Sequence, residues 1–176
     1  ALPICAIIDD EACREASKQE IIRRYFATAC NVKKGLAEPS ELHKQEMLMN
    51  YLHLTPDMRP CVPAARKKAE ETGAPAAAIE LPDGRIVTGK TSGLMGACSA
   101  ALLNSLKTLA GIHDRVNLIA PMVLAPIQHL KVEHLGNSNP RLHTDEVLIA
   151  LSMSAVTNPT AEMAMEALSG LRGGEV

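Results

Sequence analysis

Apolar positions in the N-terminal part of the chain recur at intervals of three and four, the period of helices that bury one face. Ala12, Ala16, Ile22, Tyr25, Phe26 and Ala29 fall on one stripe, with Lys18, Arg23 and Arg24 off it. The pair Asp9-Asp10 can cap the N-terminus of that helix and Lys33-Lys34-Gly35 can stop it, so a helix is predicted from there to about Ala29. The apolar run Leu2 to Ile8 ahead of it reads as a short strand or entry segment. A second helix is predicted from a Ser40 cap to about His53, with Leu42, Leu48, Tyr51 and Leu52 as its buried set. A third runs from Ala64 to Thr72 and closes at Gly73.

From Ala76 the pattern changes to strands alternating with helices. Ala76 to Leu81, the turn Pro82-Asp83-Gly84 and the return Arg85 to Thr88 predict a β-hairpin. Gly89 to Gly93 is a polar loop that leads toward a helix from Gly96 to Leu109, whose first turns are built of small residues suited to close packing on a sheet. Arg115 to Ala120 reads as a third strand, and Pro121 begins a helix that ends near Leu135-Gly136. A polar loop, Asn137 to Arg141, precedes a helix capped by His143 or Thr144 that is apolar nearly all round to Ala155 and is therefore expected to be central. Asn158 and Pro159 start the last helix, which Gly170 to Gly174 ends.

Composition narrows the functional classes. The 176 residues are 47% hydrophobic and 22% charged, an ordinary globular balance, but only 2% aromatic. A chain of this size buries roughly 70% of its unfolded surface, enough for one core or two small ones. Few aromatics to stack bases, a net charge of -2 and a pI near 6.3 argue against nucleic-acid binding. Five cysteines without a C-x-x-C pair argue for a reducing, cytoplasmic setting. No apolar run reaches the roughly 18 residues of a membrane span, so no membrane partner is expected.

Four chemistries are suggested by residue spacing. Gly84-x-x-x-x-Gly89-Lys90-Thr91 satisfies the phosphate-loop pattern, but Arg85 to Thr88 favour a strand where that motif needs a loop. What survives is an anion site in which Lys90, Thr91 and Ser92 enter a helix N-terminus. Hairpin, loop and helix in this order resemble the core of the cytidine-deaminase-like fold, yet Cys98-Ser99-Ala100 lacks the glutamate and no P-C-x-x-C follows, so the zinc chemistry is not expected. His129, Glu133, His134 and His143 invite a metal site, but His134 lies well round a regular helix from His129, and no metal is expected. In the loop before the central helix, His143 with Asp145 is a candidate acid–base pair, with Asn139 and Arg141 as ligand contacts. No cofactor is indicated, and no Ser-His-Asp or zinc signature of a peptidase can be assembled.

Three runs carry a family resemblance: Ala16 to Phe26, ELPDGRIVTGKTS from Glu80 to Ser92, and NPRLHTDEVLIALS from Asn139 to Ser152 continuing into Thr157-Asn158-Pro159-Thr160. Together they resemble the C-terminal part of the bacterial domain-of-unknown-function eighteen-forty-six family. The resemblance implies a larger parent protein whose N-terminal part holds another α/β domain with its own glycine-rich GK loop. It also implies a further strand beyond Gly173-Gly174-Glu175-Val176. The expected architecture is α/β: a helical subdomain over residues 1–73, then an α/β subdomain over 74–176, a three-layer αβα unit of cytidine-deaminase-like topology. The leading functional expectation is a non-catalytic accessory or assembly fragment of a larger cytoplasmic protein. It would self-associate through its Ala- and Met-rich helices and partner with the N-terminal part of its parent. The alternative is part of an enzyme site that binds a phosphorylated or carboxylate small molecule through Lys90 to Ser92, with His143 as acid/base.

Overall fold

A computed structural model describes residues 9–174 and residue 176; the expected strand Leu2 to Ile8, and Cys5 within it, lie outside the described residues. Asp9 accepts a hydrogen bond from the Ala12 amide at 3.0 Å and caps α1 (Asp10–Lys33), which Gly35 ends in a left-handed conformation. Pro39, not Ser40, opens α2 (Pro39–Tyr51), with Glu38 at the cap position. Proline at the first helical position needs no amide partner and fixes the start one residue before the expected cap. A short 3-10 turn (Pro56–Met58) leads to α3 (Cys61–Thr72), closed by Gly73 in a left-handed conformation.

The hairpin forms as the alternation predicts. β1 (Ala76–Glu80) pairs antiparallel with β2 (Ile86–Lys90), Ala78 opposite Thr88. Asp83 ties the turn by accepting from the Arg85 amide at 3.0 Å and from its Nε at 2.7 Å, and Arg85 holds the Asp83 carboxyl below its ordinary range. Then follow α4 (Ala97–Leu109), α5 (Pro121–His129), a π-helical turn (Leu130–His134), α6 (Thr144–Ala155), α7 (Pro159–Glu166) and a 3-10 turn (Ala167–Leu171). The described residues thus form a mixed α/β fold, mostly helical, with seven α-helices and one two-stranded sheet.

The expected third strand, Arg115 to Ala120, is not one. Leu118 and Ile119 are buried in the core, but the segment turns on itself through the Val116 amide to the His113 carbonyl and finds no strand to pair with. An apolar run of this length signals burial, not the ladder that would complete it.

The chain divides into two compact units, Ala1–Arg59 and Pro60–Val176. That division falls before Gly73 because α3 packs on both strands of the hairpin. In the first unit, α1 and α2 close around Ile22, Met49 and Leu54, with Ile21, Tyr25 and Phe26 half-buried at the edge. Leu48, Tyr51 and Leu52, expected in that core, are exposed, and Leu42, expected there too, is half-buried; the residue of α2 that is buried is Met49.

The second unit has two adjoining cores. Ala77, Ile79 and Leu81 on one face of β1 pack on Ala101, Leu102 and Leu109 of α4. Ala78 points the other way and is buried as well, and α3 is the further helix packed on β1. The approach of α4 to β2 requires glycine: a Cβ on Gly89 would come within 2.6 Å of the Ala101 Cα. The larger core gathers Leu106, Leu118, Leu124, Leu142 and the inner stripe of α6, Val147, Ala150 and Leu151. One side of α6 is thus central as expected, but Ile149, Met153 and Val156 on its other side are exposed.

Candidate functional site

The polar loops singled out by the sequence meet in the second unit. Lys90 closes β2, and the Thr91 amide donates to the Pro75 carbonyl at 2.8 Å, so the ladder runs one residue past the strand. Ser92 then makes a turn: its Oγ accepts from the Leu94 and Met95 amides at 3.2 and 3.3 Å. Four residues, 93–96, therefore separate Ser92 from the first residue of α4, and Lys90 to Ser92 do not form a helix N-terminus as expected. The phosphate-loop pattern fails for the stated physical reason: Gly84 sits in the hairpin turn and Gly89 inside β2.

Leu142 stitches the second loop to the first. Its amide donates to the Leu94 carbonyl at 2.9 Å, and its own carbonyl accepts from the Gly96 amide at 3.1 Å and from Ser99 Oγ at 3.1 Å. This short parallel bridge, Met95 to Leu142, is completely buried at Leu142. Beside it, Arg141 Nε donates to the Ser92 carbonyl at 2.9 Å across 49 residues of sequence. Asn137 and Asn139 shape the loop by accepting from the amides of Asn139 and Arg141 at 3.0 and 3.1 Å.

The organiser of this junction is a residue that no sequence motif marks. Lys131, in the π-helical turn, is 3% exposed and donates to the Arg141 carbonyl at 2.7 Å and to Glu146 Oε2 at 2.8 Å. The same Glu146 oxygen accepts from the His143 amide at 2.7 Å, so one carboxylate fixes both the buried ammonium and the start of α6. Burial pushes the Glu146 carboxyl up, but Lys131 and the His143 amide outweigh it and hold it below the ordinary range. A signal was available: Lys131 falls seven residues after Leu124 and four after Ile127, on the core-facing stripe of an apolar helix.

The expected site residues are only partly brought together. Ser92 and Arg141 touch, with Asn139 beside them, while His143 and Asp145 lie exposed in and before the first turn of α6. The carboxylate that engages His143 is Glu146, through the backbone. Lys90 lines a different cleft of about 520 Å³, with Lys68, Thr88, Asn104 and Asp114. His129 and His134, expected well apart around a regular helix, meet edge to face at 5.4 Å. The wider π winding, with the Leu135 amide reaching the Leu130 carbonyl five residues back, brings them round. Among the described residues no group of three or more His, Cys, Asp or Glu is placed to hold a metal ion.

The model of the C-terminal domain of the DUF1846 family, a domain of unknown function, matches residues 57–176, and that of its N-terminal domain matches residues 3–53. The chain belongs to the DUF1846 family. The border between the two matches falls beside the border between the two compact units, at Arg59 and Pro60. The chain is 55% identical over 170 residues to a UPF0371 protein of Streptococcus thermophilus strain CNRZ 1066 and 54% identical over 170 residues to one of Streptococcus pneumoniae strain CGSP14. Each alignment covers 97% of this chain and 34% of the relative, so the chain spans about a third of the length of the curated relatives it matches. No helix among the described residues is long and apolar enough to cross a membrane.

Proposed function

We propose that this DUF1846 chain serves as a non-catalytic assembly segment and self-associates through the outer face of α6. The observation that carries the reading is a second apolar stripe. Val147, Ala150, Leu151 and Ser154 face the core, while Ile149, Met153 and Val156, spaced by four and three, stand 58%, 59% and 82% exposed. A helix apolar on both sides is an interior helix, and here one side has no cover among the described residues. A second copy supplies the same stripe by two-fold symmetry, which makes the contact self-complementary. A cytoplasmic setting suits Cys13, Cys30 and Cys98, which are free thiols. Size-exclusion chromatography with light scattering tests the reading: the mass is expected to rise with concentration above the 18.8 kDa of one chain. A strict monomer at the highest attainable concentration contradicts it.

A finer fold proposal accompanies this one. The order α3, β1, β2, α4, with helices packed on both strands, supports a three-layer αβα unit of cytidine-deaminase-like topology whose further strands come from other parts of a longer protein. A second functional reading is favoured by the Arg141 to Ser92 contact, which joins two polar loops. In it, Ser92, Asn139 and Arg141, with Thr91 beside Ser92, hold a phosphorylated or carboxylate small molecule and His143, with Asp145, acts as acid and base; Lys90, which lines the separate cleft, is left out. Thermal shifts with inorganic phosphate and sugar phosphates, lost in Arg141→Ala, support it; no shift with any of them removes it.

A further inference from the structure

The first unit has too little core for the apolar surface it carries. Among its described residues, three apolar side chains are buried, Ile22, Met49 and Leu54, and its two described cysteines, Cys13 and Cys30, are free thiols that staple nothing. Domains of about 60 residues are already marginal with a full core. Yet α2 is apolar on two sides. Met49 is buried with Ile22 of α1, while Met47, Leu48, Tyr51 and Leu52, spaced as neighbours on adjacent turns, form an outward face. Tyr51 is 81% exposed. Leu52 also lines an open groove of about 490 Å³ whose other apolar walls are Cys13, Ile21 and Leu54 and whose polar lining is Asp10, Arg14, Ser17 and Lys18.

We infer that the outward face of α2 is an intramolecular docking surface, covered in the full-length family protein by another stretch of the same N-terminal domain. Two facts select this occupant over a second copy. Residues 3–53 match the N-terminal DUF1846 domain, so this unit is built from that domain's sequence. The relatives are aligned over 34% of their length, which leaves two thirds of their chain to supply the cover. An obligate core is apolar and aromatic, as Tyr51, Leu48 and Met47 are, whereas a transient partner site is more polar. The inference stands on the first unit alone and does not depend on α6.

Hydrogen exchange read by mass spectrometry tests it, on the 176-residue chain and on the full-length Streptococcus thermophilus relative. Amides of residues 40–51 in the isolated chain are expected to exchange at least about tenfold faster than the aligned amides of the relative. In the isolated chain, Tyr51→Gln should leave the melting temperature unchanged, since no described residue covers the ring there. Equal protection of α2 in both proteins overturns the inference. So does protection in the isolated chain that rises with its concentration, which assigns the face to a second copy.

Discussion

Gly89 and Lys131 show how single residues set the second unit. At Gly89 the neighbour of an added Cβ is α4 backbone, which cannot swing aside as a side chain would. Gly89→Ala is expected to destabilise by about 3 kcal/mol, the upper end of overpacking, read as a lower urea midpoint at unchanged m-value. The Lys131–Glu146 pair gives a directional test. Removing the carboxylate strands a buried ammonium, whereas removing the ammonium leaves a partly exposed carboxylate that water can reach. Glu146→Gln should therefore cost about 2 kcal/mol, and Lys131→Met less. Because the folded Glu146 carboxyl titrates below its unfolded value, its contribution is complete above the ordinary glutamate range near pH 4.3 and fades as pH falls through the folded value. The stability gap between wild type and Glu146→Gln is thus expected to narrow between pH 7 and about pH 3; a gap independent of pH contradicts the pairing.

Elements were legible where a local signal was complete. The Asp9 cap, the hairpin turn around Asp83 and Gly84, the Gly73 stop and the Asn158-Pro159 start all lie where turn and cap chemistry predict them. What failed depended on distant neighbours. Leu118 and Ile119 are as apolar as strand residues but pair with no strand among the described residues, and Leu48, Tyr51 and Leu52 are as apolar as core residues but are exposed. The candidate site was half legible for the same reason. The polar loops were visible in sequence, but the contacts that join them, Arg141 to Ser92 and Leu142 to Leu94, span nearly fifty residues. Lys131 was hidden because a lysine in a helix suggests a solvated face. The fully buried Leu142 is the pivot of this junction, and Leu142→Ala is expected to cost about 3 kcal/mol and to raise amide exchange in residues 92–96.

At the scale of the molecule, two helices carry the same message. α2 in the first unit and α6 in the second each satisfy one core with one stripe and present a second apolar stripe outward. The proposed occupants differ: the rest of the N-terminal domain for α2, another copy of the chain for α6. A family protein about three times the length of this chain has room for both arrangements. The central claim is the assembly role of α6, and Met153→Glu tests it most directly, since it places a charge in the middle of the exposed stripe without touching the core. Light scattering on wild type and variant at one concentration is expected to show the wild type associated and the variant at 18.8 kDa, with the same circular dichroism. A mass that Met153→Glu leaves unchanged contradicts the claim.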